Sequence, residues 1–516
     1  MPTINDLYTT DLEDTIRGLL KKTGIPGCAI AIVKANEDAG WDEGVWTLGE
    51  AKKGVPVTPD TRFPLFSMVK LITVLAVHQV LSKTSYTFDT HLKTIIPEFK
   101  SPDKALEEGV TVADMCAHVS GLPAYFDVFQ IGTSLEDILE SVSKLHPTAP
   151  RRTTFQYGNL MFSLLGLIIE RISGLSYPNY VKEHFLKPFG LDSAGFEDDE
   201  LTAEGHWIDA SGGGEMRGID NGVVRSPATW PAGGLIMSIK DYAKYLKQLP
   251  SHPGYQFAST PSSSHPAFAD ISHFPYSSTI PTYGGGLYQM TYKGMEVHEH
   301  WGAFTGYRGL MVYVPGKKVG FGVFVNGDGG ELVSTLIKMT LLERLAGGTV
   351  GPEEWNIRIG EDFLKRVAKI TTNFPSIPSP LSSQNQTPLI GTFIAPGYST
   401  WHLTPSNNLP TRPALTTIPI LPQLWTKHVE PVFTAVKEGE YEGCFEVGLE
   451  GEVFYGAGFR AKVDGDKLLV YGLSGMGERV DVGKHPLVFY RESQEASEAS
   501  KASEDLEGLL EKLEVE

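Results

Sequence analysis

The stretch from Phe66 to Val77, Phe-Ser-Met-Val-Lys-Leu-Ile-Thr-Val-Leu-Ala-Val, constrains the fold more than any other part of this 516-residue chain. The apolar pattern runs on to Ser82, about 16 residues of helical length, short of the roughly 20 that span a bilayer. Its side chains are apolar on nearly every face, so the helix is stable only inside a protein with other elements packed around it. Lys70 then enters the interior in the first helical turn, where the helix dipole costs a cation about 0.3–1 kcal/mol and desolvation several more. Ser67 has a bland reading as an N-cap, yet a capping box requires Glu or Gln where Lys70 stands. Chemistry gives the pair a second reading. At i and i+3 the side chains share one helix face, roughly 5–6 Å apart at Cβ. A buried lysine of lowered pKa can take or stabilise the serine proton, and a serine at a helix start has an unsatisfied N–H to offer an oxyanion.

The length predicts a large core plus an accessory unit. With 44 Lys+Arg against 62 Asp+Glu, a net charge of −18, the chain lacks the basic footprint of a nucleic-acid or anionic-membrane binder. The expected partner is a small ester or amide or a short peptide, with self-association left open. Cys28, Cys116 and Cys444 are scattered without C-x-x-C spacing and read as reduced thiols. Met1 to Leu7 carries no secretory pattern and no apolar run is long enough to span a bilayer, so the expected location is cytoplasmic.

Leu12, Ile16, Leu19 and Leu20 have helical spacing, ended by Gly24-Ile25-Pro26-Gly27. Cys28–Val33 and Gly44–Gly49 read as a strand pair. Helical patterns follow at 67–82, 111–117, 134–144, 159–173 and 239–248, then strands at 283–290, 309–314 and 320–325, and an amphipathic helix at 331–346. This order predicts a mixed α/β (α+β) fold in which one antiparallel sheet takes strands from both ends of residues 1–350. A connecting helix and a Pro/Ser-rich linker are expected over 351–388, a small antiparallel β barrel over 389–491, and an acidic solvated tail over 492–516.

Partners for Ser67 and Lys70 appear downstream in order: Tyr157-Gly158-Asn159, a Y-x-N element, and His300-Trp301-Gly302, an H-x-G element. With Thr61–Pro64, His118–Pro123, Lys187–Leu191, Pro231–Leu235 and Gly306–Gly309 around them, the sequence resembles the serine β-lactamase-related family over roughly residues 10–350. That family comprises class C β-lactamases, D-alanyl-D-alanine carboxypeptidases and esterase or transesterase relatives. The resemblance implies a β-lactamase/transpeptidase-like fold, an antiparallel sheet flanked by helices plus an all-helical region. It also implies that the C-terminal β unit is lipocalin-like. Carried over, it makes Ser67 the acylated nucleophile, Lys70 its activator and Tyr157 the group that moves the proton. Asn159 would orient Lys70 and the acyl group, His300 and Gly302 would line the substrate, and the N–H groups of Ser67 and Ala303 would form the oxyanion hole. No cofactor is implied.

Each residue also has a structural reading: Tyr157 as a buried phenol, Asn159 as the N-cap of helix 160–172 with Gly174 at C′. His298-Glu299-His300 lacks H-E-x-x-H spacing and carries no metal expectation. His118 reads as structural, closing a helix and turn. Histidine at 300, where β-lactamases carry lysine, points away from penicillin-like donors toward neutral esters or amides, and an imidazole keeping its ordinary pKa would charge in mild acid. The expected function is a serine hydrolase or acyltransferase, an esterase or amidase working through acyl-Ser67. The alternative is a catalytically idle ligand-binding or assembly protein on the same fold.

Overall fold

In the computed structural model, residues 2–123, 133–209, 215–219, 226–264, 281–304 and 306–373 are described, followed by 391–394, 400–405, 415–416, 428–437, 440–449, 452–464, 466–471 and 487–491. Compactness divides the chain into two units, residues 1–373 and 374–516. Along the first unit, helix α1 (Thr10–Thr23) precedes strands β1 (Gly27–Ala35), β2 (Trp41–Lys52) and β3 (Val55–Pro56). A largely helical stretch follows, with α2 (Val69–Leu81), α3 (Asn159–Ser173) and α4 (Ile239–Gln248) as its longest members. Strands β4 (Ser263–Ser264), β5 (Thr282–Tyr283), β6 (Tyr288–Tyr292), β7 (Met295–Phe304), β8 (Tyr307–Val314) and β9 (Val319–Val325) lead to α5 (Gly330–Leu345) and α6 (Pro352–Asn373).

The nine strands form one antiparallel sheet in the order β3-β2-β1-β9-β8-β7-β6-β5-β4. Strands from both ends of the unit meet at β1 and β9, with Cys28 opposite Val325 and Val33 opposite Gly320. Both strands are buried and rich in β-branched residues, as a strand covered on two faces must be. One face packs on α1, α5 and α6, whose Leu12, Ile16, Leu336, Ile337, Trp355 and Ile359 share a core with Ile30, Ile32 and Phe321. On the other face Tyr242 of α4 meets Phe324, and α2 lies beyond with its first nine residues, Val69 to Val77, all buried. This is the β-lactamase/transpeptidase-like arrangement, an antiparallel sheet flanked by helices.

Two elements differ from the sequence reading. The single strand expected over 283–290 is two, β5 and β6, separated by Gly284-Gly285-Gly286-Leu287. Gly286 has φ +77°, and a Cβ there would lie 2.8 Å from the Leu71 nitrogen, so the turn is pressed against the backbone of α2 where only glycine fits. The helix expected to connect the domains belongs to the first unit, because Trp355 and Ile359 are buried in its core.

In the second unit, β10 (Gly391–Ile394), β11 (Thr400–Pro405), β12 (Leu415–Thr416), β13 (His428–Lys437), β14 (Glu440–Leu449), β15 (Glu452–Asp464), β16 (Lys467–Tyr471) and β17 (Leu487–Arg491) form an eight-stranded sheet. Its order is β12-β11-β10-β17-β16-β15-β14-β13. The linker expected over 374–388 and the tail over 492–516 lie outside the described residues. Among those described, no single helix is long and apolar enough to cross a membrane.

Candidate active site

Ser67 occupies a 3-10 turn, Phe66–Met68, that runs directly into α2. The chain reaches this turn through Arg62–Pro64, paired with Ile236–Ser238, and through the Leu65 N–H, which donates to the Leu235 carbonyl at 2.8 Å. Phe66 has φ +46°, a left-handed conformation in a bulky residue that costs on the order of 1–3 kcal/mol and persists only where its surroundings enforce it. Here the rings of Phe304 and Tyr307 hold it, at centroid distances of 5.4 and 5.7 Å. Ser67 is left half-buried, at the head of a turn in which the Met68 N–H donates to the Leu65 carbonyl at 3.2 Å and the Val69 N–H to the Phe66 carbonyl.

Lys70 is fully enclosed. Its Nζ lies 3.0 Å from Ser67 Oγ and donates to the Ala232 carbonyl at 3.0 Å. It sits 4.8 Å from the centroid of the Tyr157 ring and 5.4 Å from that of Phe162. Among the described residues no carboxylate pairs with it, and burial holds the amine well below the usual lysine range. A neutral amine beside a hydroxyl can turn its lone pair to the serine proton.

Tyr157 is carried by an extended loop ahead of α3. The cap of that helix is Gly158, with Asn159 the first helical residue and Gly174, at φ +71°, closing the far end. Asn159 therefore makes no side-chain cap bond, and its buried Oδ1 has no hydrogen-bond partner among the described residues. An amide oxygen left so costs about 1–3 kcal/mol until something donates to it.

His300, Gly302 and Ala303 all lie on β7. Strand β6 pairs with β7 only as far as Glu299, while β8 continues alongside to Phe304. From His300 onward one edge of β7 is therefore released from the sheet on the β6 side. Gly302 permits the strand to press on the serine turn, since a Cβ would lie 2.2 Å from the Leu65 carbonyl oxygen. His300 is buried. Its Nδ1 is 2.7 Å from the Trp301 carbonyl and must donate to it, so Nε2 accepts from the Tyr283 hydroxyl at 3.1 Å. Burial, with a further push from Lys70, moves the imidazole down to about 3. The expectation that mild acid would charge it is thereby corrected.

The structure thus gathers Ser67, Lys70 and Tyr157 with the released edge of β7, while Asn159 stands two residues beyond Tyr157 at the start of α3. Three features escaped the sequence: the Ala232 carbonyl on Lys70, the Tyr283 hydroxyl on His300, and the strain at Phe66. Pro231-Ala232-Gly233-Gly234 marked the first of these without disclosing its target. Among the described residues no group of three or more His, Cys, Asp or Glu side chains is arranged to hold a metal ion.

The profile of the family named Beta-lactamase matches residues 12–342. The chain belongs to this family. An unguisins hydrolase of Aspergillus campestris is 26% identical over 412 residues, 73% of this chain and 73% of that one. Among solved structures, the octameric penicillin-binding protein homologue from Pyrococcus abyssi superposes with a TM-score of 0.57 at 20% identity, covering 93% of this chain and 99% of that one. The D-amino acid amidase from Ochrobactrum anthropi superposes with a TM-score of 0.50 at 18% identity, covering 68% and 99%. These two show a common fold. Within the family, the curated relative from Aspergillus campestris is named a hydrolase.

Proposed function

We propose that this protein is a serine hydrolase or acyl-transferring enzyme that cleaves an uncharged ester or amide through an acyl-Ser67 intermediate. The observation that carries this is a wholly buried lysine, its amine driven toward the neutral form, 3.0 Å from a half-buried serine hydroxyl. Lys70 takes the Ser67 proton as Oγ attacks the carbonyl carbon, and Tyr157 moves a proton to the leaving group. The N–H groups of Ser67 and Ala303 receive the oxyanion, the latter from the released edge of β7. Asn159 offers its unpartnered Oδ1 to a donor on the acyl side.

The surrounding charges favour an uncharged donor. His300 is neutral, and Arg308 near Ala303 is engaged by Asp328 and Glu331, both at 3.1 Å. We extend the proposal to a lipocalin-like second unit, and to self-association, for which the octameric relative gives precedent.

Intact mass after mixing with a p-nitrophenyl ester should show one acyl adduct on the wild type and none on Ser67→Ala. Equal labelling of both proteins would refute the proposal. His300→Lys, which restores a cation, should raise acylation by carboxylate-bearing donors such as β-lactams relative to neutral esters. Because His300 titrates near 3, the wild-type preference should not change through His300 between about pH 5.5 and about pH 8, the range around an ordinary imidazole. A ratio that is the same in both proteins would remove His300 from charge selection.

A further inference from the structure

His118 lies outside the catalytic set and yet is built into the loop that carries Tyr157. It is completely enclosed and has φ +56°, a left-handed conformation uncommon outside glycine that histidine, asparagine and aspartate adopt more readily than other residues. Its carbonyl accepts from the Gln156 N–H at 2.8 Å, and its Nδ1 accepts from the Gly158 N–H at 3.1 Å. The two bonds bracket Tyr157. A backbone N–H can only donate, so Nδ1 presents a lone pair and the ring proton belongs on Nε2. The imidazole itself packs on the phenol, with centroids 4.4 Å apart. It also touches Phe162, whose ring faces Lys70 Nζ, and Tyr283, whose hydroxyl donates to His300. One side chain therefore contacts the neighbours of both Lys70 and His300 and clamps the loop between them.

We propose that His118 is a positioning residue for Tyr157: by accepting from Gly158 and packing on the phenol ring, it holds the hydroxyl in line with Ser67 and Lys70. The inference rests on the role proposed above for Tyr157. A capping or core role would require burial alone. Bonds on both sides of one residue, with a tilted ring packed against that residue, instead fix its position, and misplacement by about 1 Å at a reacting group can cost about 100-fold in rate.

Asparagine places Oδ1 where His118 has Nδ1 and tolerates the left-handed backbone. Alanine has no acceptor. With a p-nitrophenyl ester, His118→Ala should lower kcat by about 10- to 100-fold with KM little changed, and His118→Asn should recover most of that loss. The same substitutions made in Tyr157→Phe should cost less than about threefold further, because the group being positioned is gone. Equal losses in both backgrounds, or no recovery by asparagine, would overturn the proposal. Should His118→Ala fail to fold, ¹⁵N NMR of the wild-type imidazole decides, with the signal assigned by its disappearance in His118→Asn. An unprotonated Nδ1 supports the clamp and a protonated Nδ1 eliminates it. Failure of the underlying reading looks different, since Tyr157→Phe alone would then turn over like the wild type.

Discussion

Lys70→Met is expected to abolish acylation of Ser67 while leaving the protein folded, with turnover of a reactive ester falling on the order of 10³-fold or more, the scale seen when one member of a coupled nucleophile–base pair is removed. Methionine keeps much of the volume and removes the amine. The stability consequence follows from the same burial. The unfolded lysine titrates near 10.5 and the folded one well below it. Between those values the unfolded chain binds the extra proton, so stability rises with pH across that window and the full penalty is present beneath it. The variant lacks that penalty. It leaves the Ala232 carbonyl without its donor, a cost of about 1–3 kcal/mol, which is smaller than the several kcal/mol of desolvation it removes. Urea unfolding should therefore give the variant a stability at neutral pH equal to or above that of the wild type, and a flatter rise toward alkaline pH. Wild-type turnover in Lys70→Met would make this lysine structural and end the activation scheme.

That prediction could be framed from the sequence because Ser67 and Lys70 are local to one another, and an apolar helix with a single cation announces its conflict in the residues themselves. The sheet was legible for a related reason. Strands such as Cys28–Val33 and 320–325 are short, β-branched and bounded by glycine, and their position at the two ends of a helical region leaves few ways to pair them. What could not be read depends on residues distant in sequence. Nothing near Gly286 tells that Lys70 and Leu71 lie against it, so the break between β5 and β6 was invisible. Trp355 and Ile359 look like one face of any amphipathic helix until α1 and α5 are in place to cover them. His300 was legible as a position, but its state was not. Its tautomer is set by Tyr283 and Trp301, and its fall to about 3 by burial first and Lys70 second. Asn159 shows the opposite error, where a strong local preference for capping lost to tertiary placement.

Tyr157→Phe tests the other half of the chemistry, and its expected effect is a loss of about 10²–10⁴ in kcat, the usual contribution of a positioned acid or base. The substitution is clean because the ring's neighbours, His118 at 4.4 Å, Phe155 at 6.4 Å, His300 at 6.3 Å and the Lys70 amine over its face, all contact the ring itself. Phenylalanine retains these contacts, so the melting temperature should stay close to that of the wild type while the rate falls. The two half-reactions separate the duties of the hydroxyl. If it delivers a proton only to the leaving group, acylation slows and no intermediate builds up. If it also draws a proton from the attacking water, deacylation slows as well, and acyl-Ser67 becomes visible by intact mass during turnover. Both outcomes keep Tyr157 in the mechanism and assign it to different steps. A variant whose burst and steady-state rates both match the wild type would instead remove Tyr157 from the mechanism and leave Lys70, 3.0 Å from Ser67 Oγ, to carry both proton transfers.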